Sequence, residues 1–215
     1  MQKNRFYKAP AIAIGAVLVF GATFVGSVVA SDETELSQVI DPGNLEASIL
    51  DSNRDPVAEP SADMQSASFD FDCQTTTGTL GEENERLYVT NPSAAGDGWS
   101  LTIAANDNTD EWVDGNNSYS FNDPSGDGCD EGQLTVDPSS GSITADNGES
   151  SEVNTGSSSA FDQGEVDDIE LMVASSGDAE VWRGYIEGIG LSQKIPGETP
   201  AGGYSLDMTI TATTQ

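Results

Sequence analysis

From residue 66 onward, apolar and polar positions alternate in short runs, separated by clusters of Gly, Asn, Asp, Ser and Pro. That alternation is the mark of half-buried β-strands. In "WSLTIAA", Trp99, Leu101, Ile103 and Ala105 fall on one face, with Ser100, Thr102 and Ala104 on the other. Near the C-terminus, Tyr204, Leu206, Met208, Ile210 and Ala212 share a face against Ser205, Asp207, Thr209, Thr211 and Thr213. Strands are predicted at 68–73, 86–90, 99–105, 133–136, 169–174, 179–191 and 204–213. The segments "NPSAAGDG" before Trp99 and "IPGETPAGG" before Tyr204 carry turn chemistry, proline fixing φ and glycine supplying positive φ. The stretch 146–160, "DNGESSEVNTGSSSA", reads as a long mobile polar loop. Residues 66–215 are therefore expected to form one all-β domain, an antiparallel β-sandwich.

The pattern before residue 66 differs. Lys3, Arg5 and Lys8 precede an uncharged stretch from Ala9 to Ala30, and Val28 and Ala30 are the small residues of a cleavage site before Ser31. Two fates fit residues 1–30: removal as a signal peptide, or retention as an N-terminal membrane anchor through residues 9–30. Either way the remainder is exported. Residues 31–65 are acidic, punctuated by Pro42, Pro56 and Pro60, and read as a linker. A short helix across 33–40, capped by Ser31 or Asp32, is compatible with it.

Charge narrows the partners. The chain has 37 acidic and 7 basic residues, for a formal net charge of −30. Nucleic-acid binding needs a basic patch and is excluded on this balance. So acidic a surface repels polyanions and suits high salt or bound cations. Histidine is absent, which removes the usual nucleophilic triads and the Cys–His pair, so the expectation is a protein that is not an enzyme. Cys73 and Cys129 are the only cysteines, and in an oxidising compartment they read as one disulfide. In "DPSGDGCDEG", Asp123, Ser125, Asp127 and Glu131 stand at spacings a hard cation such as Ca²⁺ favours, with Gly128 for the turn. Leu134 occupies the position where an EF-hand loop has its bidentate Glu, and a polar hairpin loop tied down by Cys129 is the alternative.

Trp99-Ser100-Leu101 is a literal W-x-L, and a second element lies close to the end of the chain in "YSLDMTITATT". Together they resemble the WxL family of bacterial cell-surface proteins, whose distal motif is Y-x-x-x-[LIV]-T-W-x-L. Tyr204, Met208 and Thr209 match or nearly match it, whereas Ile210 and Ala212 replace its tryptophan and last leucine. The resemblance spans residues 66–215 and implies a β-sandwich held non-covalently on peptidoglycan at the cell surface.

The tryptophans divide on this reading. Trp99 is in phase with Leu101 and Ile103 and so is expected to anchor the core, while a solvent-facing Trp99 with Leu101 would instead form a ligand platform. Trp112 reads as a loop residue between acids and Trp182 as a surface residue opposite Val181; both are better placed than Trp99 for surface stacking, with a sugar ring expected on Trp182. Trp99, Leu101, Trp182 and Tyr204 are the candidate binding residues. The first expectation is a secreted, non-catalytic protein attached to cell-wall glycan. The alternatives are a calcium-stabilised adhesion or glycan-binding module, and a surface assembly subunit that self-associates by pairing its C-terminal strand with a neighbour's sheet edge.

Overall fold

A computed structural model describes Gln38, Asp41 and residues 43–215. The export segment, the cleavage position before Ser31 and, apart from Gln38, the helix expected across 33–40 lie outside the described residues. In chain order the elements are β1 (Glu46–Leu50), β2 (Gln74–Leu80), β3 (Arg86–Asn91), β4 (Trp99–Ala105), β5 (Glu111–Asp114), β6 (Asn117–Ser120) and a single turn of helix, α1 (Ser125–Gly128). They continue with β7 (Gln133–Asp137), β8 (Ser142–Asn147), β9 (Asn154–Thr155), β10 (Ser159–Ala160), β11 (Asp168–Ala174), β12 (Trp182–Glu187), β13 (Ile189–Ile195) and β14 (Met208–Thr214).

All pairings are antiparallel, and the all-β sandwich class is as expected. One sheet has the order β1-β3-β12-β8, a second β10-β7-β13-β2, and a third β14-β4-β11-β9, with β5–β6 a separate hairpin. Strands β2 and β3, β7 and β8, and β12 and β13 are consecutive in the chain yet lie in the first two sheets at matching places. Those sheets are thus one strand layer bent at a common corner, the usual way for strands to change sheets. Gly188 alone joins β12 to β13 with φ +80°, and its N–H donates to the Gly81 carbonyl (2.9 Å), itself at φ +78°. A side chain at either position would be strained, so the corner depends on glycine.

The third sheet presents Trp99, Leu101 and Ile103 of β4 and Ile169, Leu171 and Met172 of β11 to the buried interior. A register shift between Glu170 and Met172 makes Leu171 a bulge residue, so two successive side chains are buried where strict alternation would expose one. Opposite them lie Leu87, Val89, Trp182 and Ile186 from one sheet and Leu134, Val136 and Ile189 from the other. The Phe121 and Phe161 rings meet edge to face at 5.1 Å. Cys73 and Cys129 form a disulfide, with Cα atoms 5.5 Å apart, tying the entry to β2 to the end of the α1 turn.

Several predicted elements are redrawn. Residues 68–72 form no strand: Phe69 and Phe71 alternate with Asp70 and Asp72 but are 52% and 74% exposed. The strand begins instead at Gln74, where β13 supplies a partner. The supposed linker contains β1, which pairs with β3 from Glu46↔Thr90 to Leu50↔Arg86. Trp112 sits in β5, not in a loop, because the hairpin turns at Gly115 (φ +60°). The polar stretch 146–160 is built into the fold, with Val153 buried and β9 paired to β11. Residues 204–207 precede β14, which starts at Met208.

Candidate functional site

The sheet edges differ in how they are finished. Along β1, Val57 N–H donates to the Ile49 carbonyl (3.1 Å). Along β2, Gln65 N–H donates to Thr77 (2.7 Å), with Met64 bridged to Gly78. On β8, the Ser150 hydroxyl accepts the Ala145 N–H (3.0 Å). Strands β9 and β10 are two residues each. Among the described residues, β14 pairs only with β4, from Met208↔Ala105 to Thr214↔Trp99, and β1 approaches it without forming a ladder. Its sequence, MTITATT, has seven residues and no charge. Long, flat, uncharged edges are templates for another strand, and proteins ordinarily blunt them with charge, proline or cover.

An apolar cleft of about 340 Å³ lies beside this edge. Leu206, Met208 and Ile210 form one wall, half-buried. Ile49, Leu80, Leu87, Leu134, Val136 and Leu191 form the other side, and the segment from Pro60 to Met64 crosses it. That segment is tethered at Ser61, whose N–H donates to the Glu85 carboxylate (3.2 Å). The inward phase of Leu206, Met208, Ile210 and Ala212 is the one the alternation predicts, yet none of the four is fully enclosed. They are core positions without a complete cover.

The four candidate binding residues separate. Trp99 and Leu101 are completely buried, and Trp182 is 1% exposed, which corrects its assignment as a surface stacking residue. Val181 and Trp182 do point to opposite sides of the strand, but it is Val181, 50% exposed, that faces solvent. The Trp99 and Trp182 rings pack at 5.4 Å with a 40° tilt. Each indole N–H donates to a backbone carbonyl, Trp99 to Ala179 (3.4 Å) and Trp182 to Glu149 (3.3 Å). The W-x-L tripeptide is therefore core, and its tryptophan presents no face to a ligand. Tyr204 lies apart, half-buried beside Tyr119 at 5.0 Å.

The oxygen-rich loop is organised on its own terms. The Asp123 carboxylate accepts from the hydroxyl and from the N–H of Ser125 (the latter 2.7 Å), and these hold its pKa below the ordinary carboxylate value. Gly126 and Asp127 both adopt φ +58°, and the Lys194 ammonium donates to the Asp127 carbonyl (2.6 Å). Among the described residues, no three acidic or cysteine side chains gather as a metal site, so Asp123, Asp127 and Glu131 are not brought together with Ser125 as a cation cage. Also among the described residues, no helix is long and apolar enough to cross a membrane. No family model, curated protein or solved structure matches this chain.

Proposed function

We propose that the protein is an exported, non-catalytic surface subunit that joins copies of itself by strand addition along β14. The observation that carries this reading is the uncharged β14 edge, which has no second ladder partner, set beside a cleft whose apolar walls are half-buried. An extended segment of a second copy would satisfy the free backbone groups of β14, while its alternate apolar side chains entered the cleft. Charge supports the same place. Chains of net charge −30 repel one another over most of their surface, and β14 is a stretch where two copies approach without opposing carboxylates. The basic flank and uncharged run of residues 1–30, together with the disulfide, support export into an oxidising compartment.

Light scattering coupled to size exclusion tests the reading. The expected result is a molar mass that rises with protein concentration in high salt. Thr211→Lys, at an exposed position of β14, places a charge on the edge and should return the protein to monomer with an unchanged melting temperature. A native chain that stays monomeric at every concentration and salt would overturn the proposal, as would a Thr211→Lys protein that assembles as the native one does.

A further inference from the structure

A second opening, of about 390 Å³, lies next to the apolar cleft and shares Met64 and Trp112 with it. Its chemistry is different. The β5–β6 register sets Trp112 opposite Tyr119, and their rings lie nearly parallel, 15° apart with centroids 6.2 Å apart. Tyr204 meets Tyr119 edge-on at 5.0 Å, and Phe69, 52% exposed, stands at the rim. Four aromatic rings thus surround one opening.

The aromatic geometry is held from behind. The Trp112 indole N–H donates to the Gln193 side-chain oxygen at 2.9 Å. Gln193, 1% exposed, spends its amide on the Ser120 and Lys194 carbonyls (3.4 and 2.7 Å). The Tyr204 hydroxyl donates to the Pro200 carbonyl (2.9 Å). Were these rings present only to pack the hairpin onto the sheet, the site would be closed and Phe69 covered. Instead the space between them is open, and the buried polar groups behind are already satisfied.

Among the described residues, Asp70 is the single charged residue lining this opening, in a chain with 37 acidic residues. A concave site that pairs aromatic faces with a few fixed polar groups suits a ligand with apolar faces and many hydroxyls. The acidic surroundings repel an anionic polymer. We infer that this opening binds a neutral saccharide, with pyranose C–H faces against Trp112 and Tyr204 and hydroxyls toward the Tyr119 phenol and the neighbouring carbonyls. The inference is independent of assembly at β14.

Trp99 and Trp182 are buried, so a ligand-induced change in tryptophan emission reports Trp112. The test titrates the intact protein, in its monomeric fraction, with chitohexaose and cellohexaose, and with polygalacturonate and decaproline as contrasts. A saturable emission change with at least one neutral hexasaccharide is expected, with none from polygalacturonate or decaproline. Tyr204→Ala and Phe69→Ala should each weaken binding by about tenfold, with an unchanged melting temperature. Three results would overturn the inference: no response to either hexasaccharide at millimolar concentration, undiminished binding by both variants, or a response to decaproline alone.

Discussion

Trp182 shows how one residue escapes a reading of the sequence. Alternation correctly separates Val181 from Trp182, but it does not say which of the two faces inward. The signal lies two residues on: a side chain at Gly184 would come 2.7 Å from the Trp182 ring, so this glycine makes room for the indole. Trp182→Ala should therefore cost about as much as Trp99→Ala, each about 3–5 kcal/mol, as expected for emptying a large aromatic site. Chemical denaturation of the two variants checks this, and a Trp182 variant of native stability would return that side chain to the surface. Tyr119 offers a second residue-scale test. Desolvation, reinforced by Tyr204, raises its phenol pKa from 10.0 to about 12. The unfolded chain then releases this proton at lower pH than the folded one, so the associated stability is complete below pH 10 and declines as pH rises toward 12. Melting temperatures across that range should fall less steeply for Tyr119→Phe than for the native protein.

At the scale of elements, legibility followed the strength of the alternation and the presence of a partner. Strand β4 and the starts of β3 and β7 lie where the pattern places them, because these strands bury one face against the core. The run 68–73 has the right period, but its phenylalanines meet no covering layer. Strands β5 and β6 were missed because each is four residues long. The Gly115-Asn116 dipeptide between them is nonetheless a two-residue hairpin signal. Gly188 could be read as part of one long strand because nothing local in the sequence distinguishes a corner from an interior glycine. What turns it into a corner is the parallel demand of β2–β3 and β7–β8 to bend at the same level. The open edge at β14 was legible as an alternating strand. Its lack of a second ladder partner was not, since such a partner comes from residues distant in the chain. The disulfide was readable from the cysteine count together with the expected export, and it spans a separation of 56 residues. Reduction should destabilise the domain by about 4 kcal/mol on the chain-entropy estimate. Paired unfolding curves with and without reductant measure it, and coincident curves would assign the bond no stabilising role.

At the scale of the whole molecule, charge bears on folding and on the proposed association alike. Beyond residue 8 the basic residues are Arg54, Arg86, Arg183 and Lys194, and three of them are engaged with carboxylates. Arg54 contacts Asp146 at 2.8 Å with Arg183 at 3.9 Å from the same oxygen, while Arg86 pairs with Glu187 at 2.8 Å and lies over the Tyr185 ring. Most of the 37 acidic side chains therefore have no cation to offset them, and self-repulsion opposes the compact state until salt screens it. On the proposed strand addition, the same screening would let two copies approach at β14. Raising NaCl should thus raise the melting temperature of native and Thr211→Lys proteins alike, whereas the accompanying rise in molar mass should occur only in the native protein. CaCl₂ at matched ionic strength separates screening from coordination. The Lys194 ammonium occupies the Asp127 carbonyl and Asp123 is turned toward Ser125, so calcium should stabilise no more than NaCl does. A calcium-specific rise in melting temperature, abolished by Asp127→Ala, would instead make the loop a cation site and would tie the acidic surface to a ligand beyond screening salt.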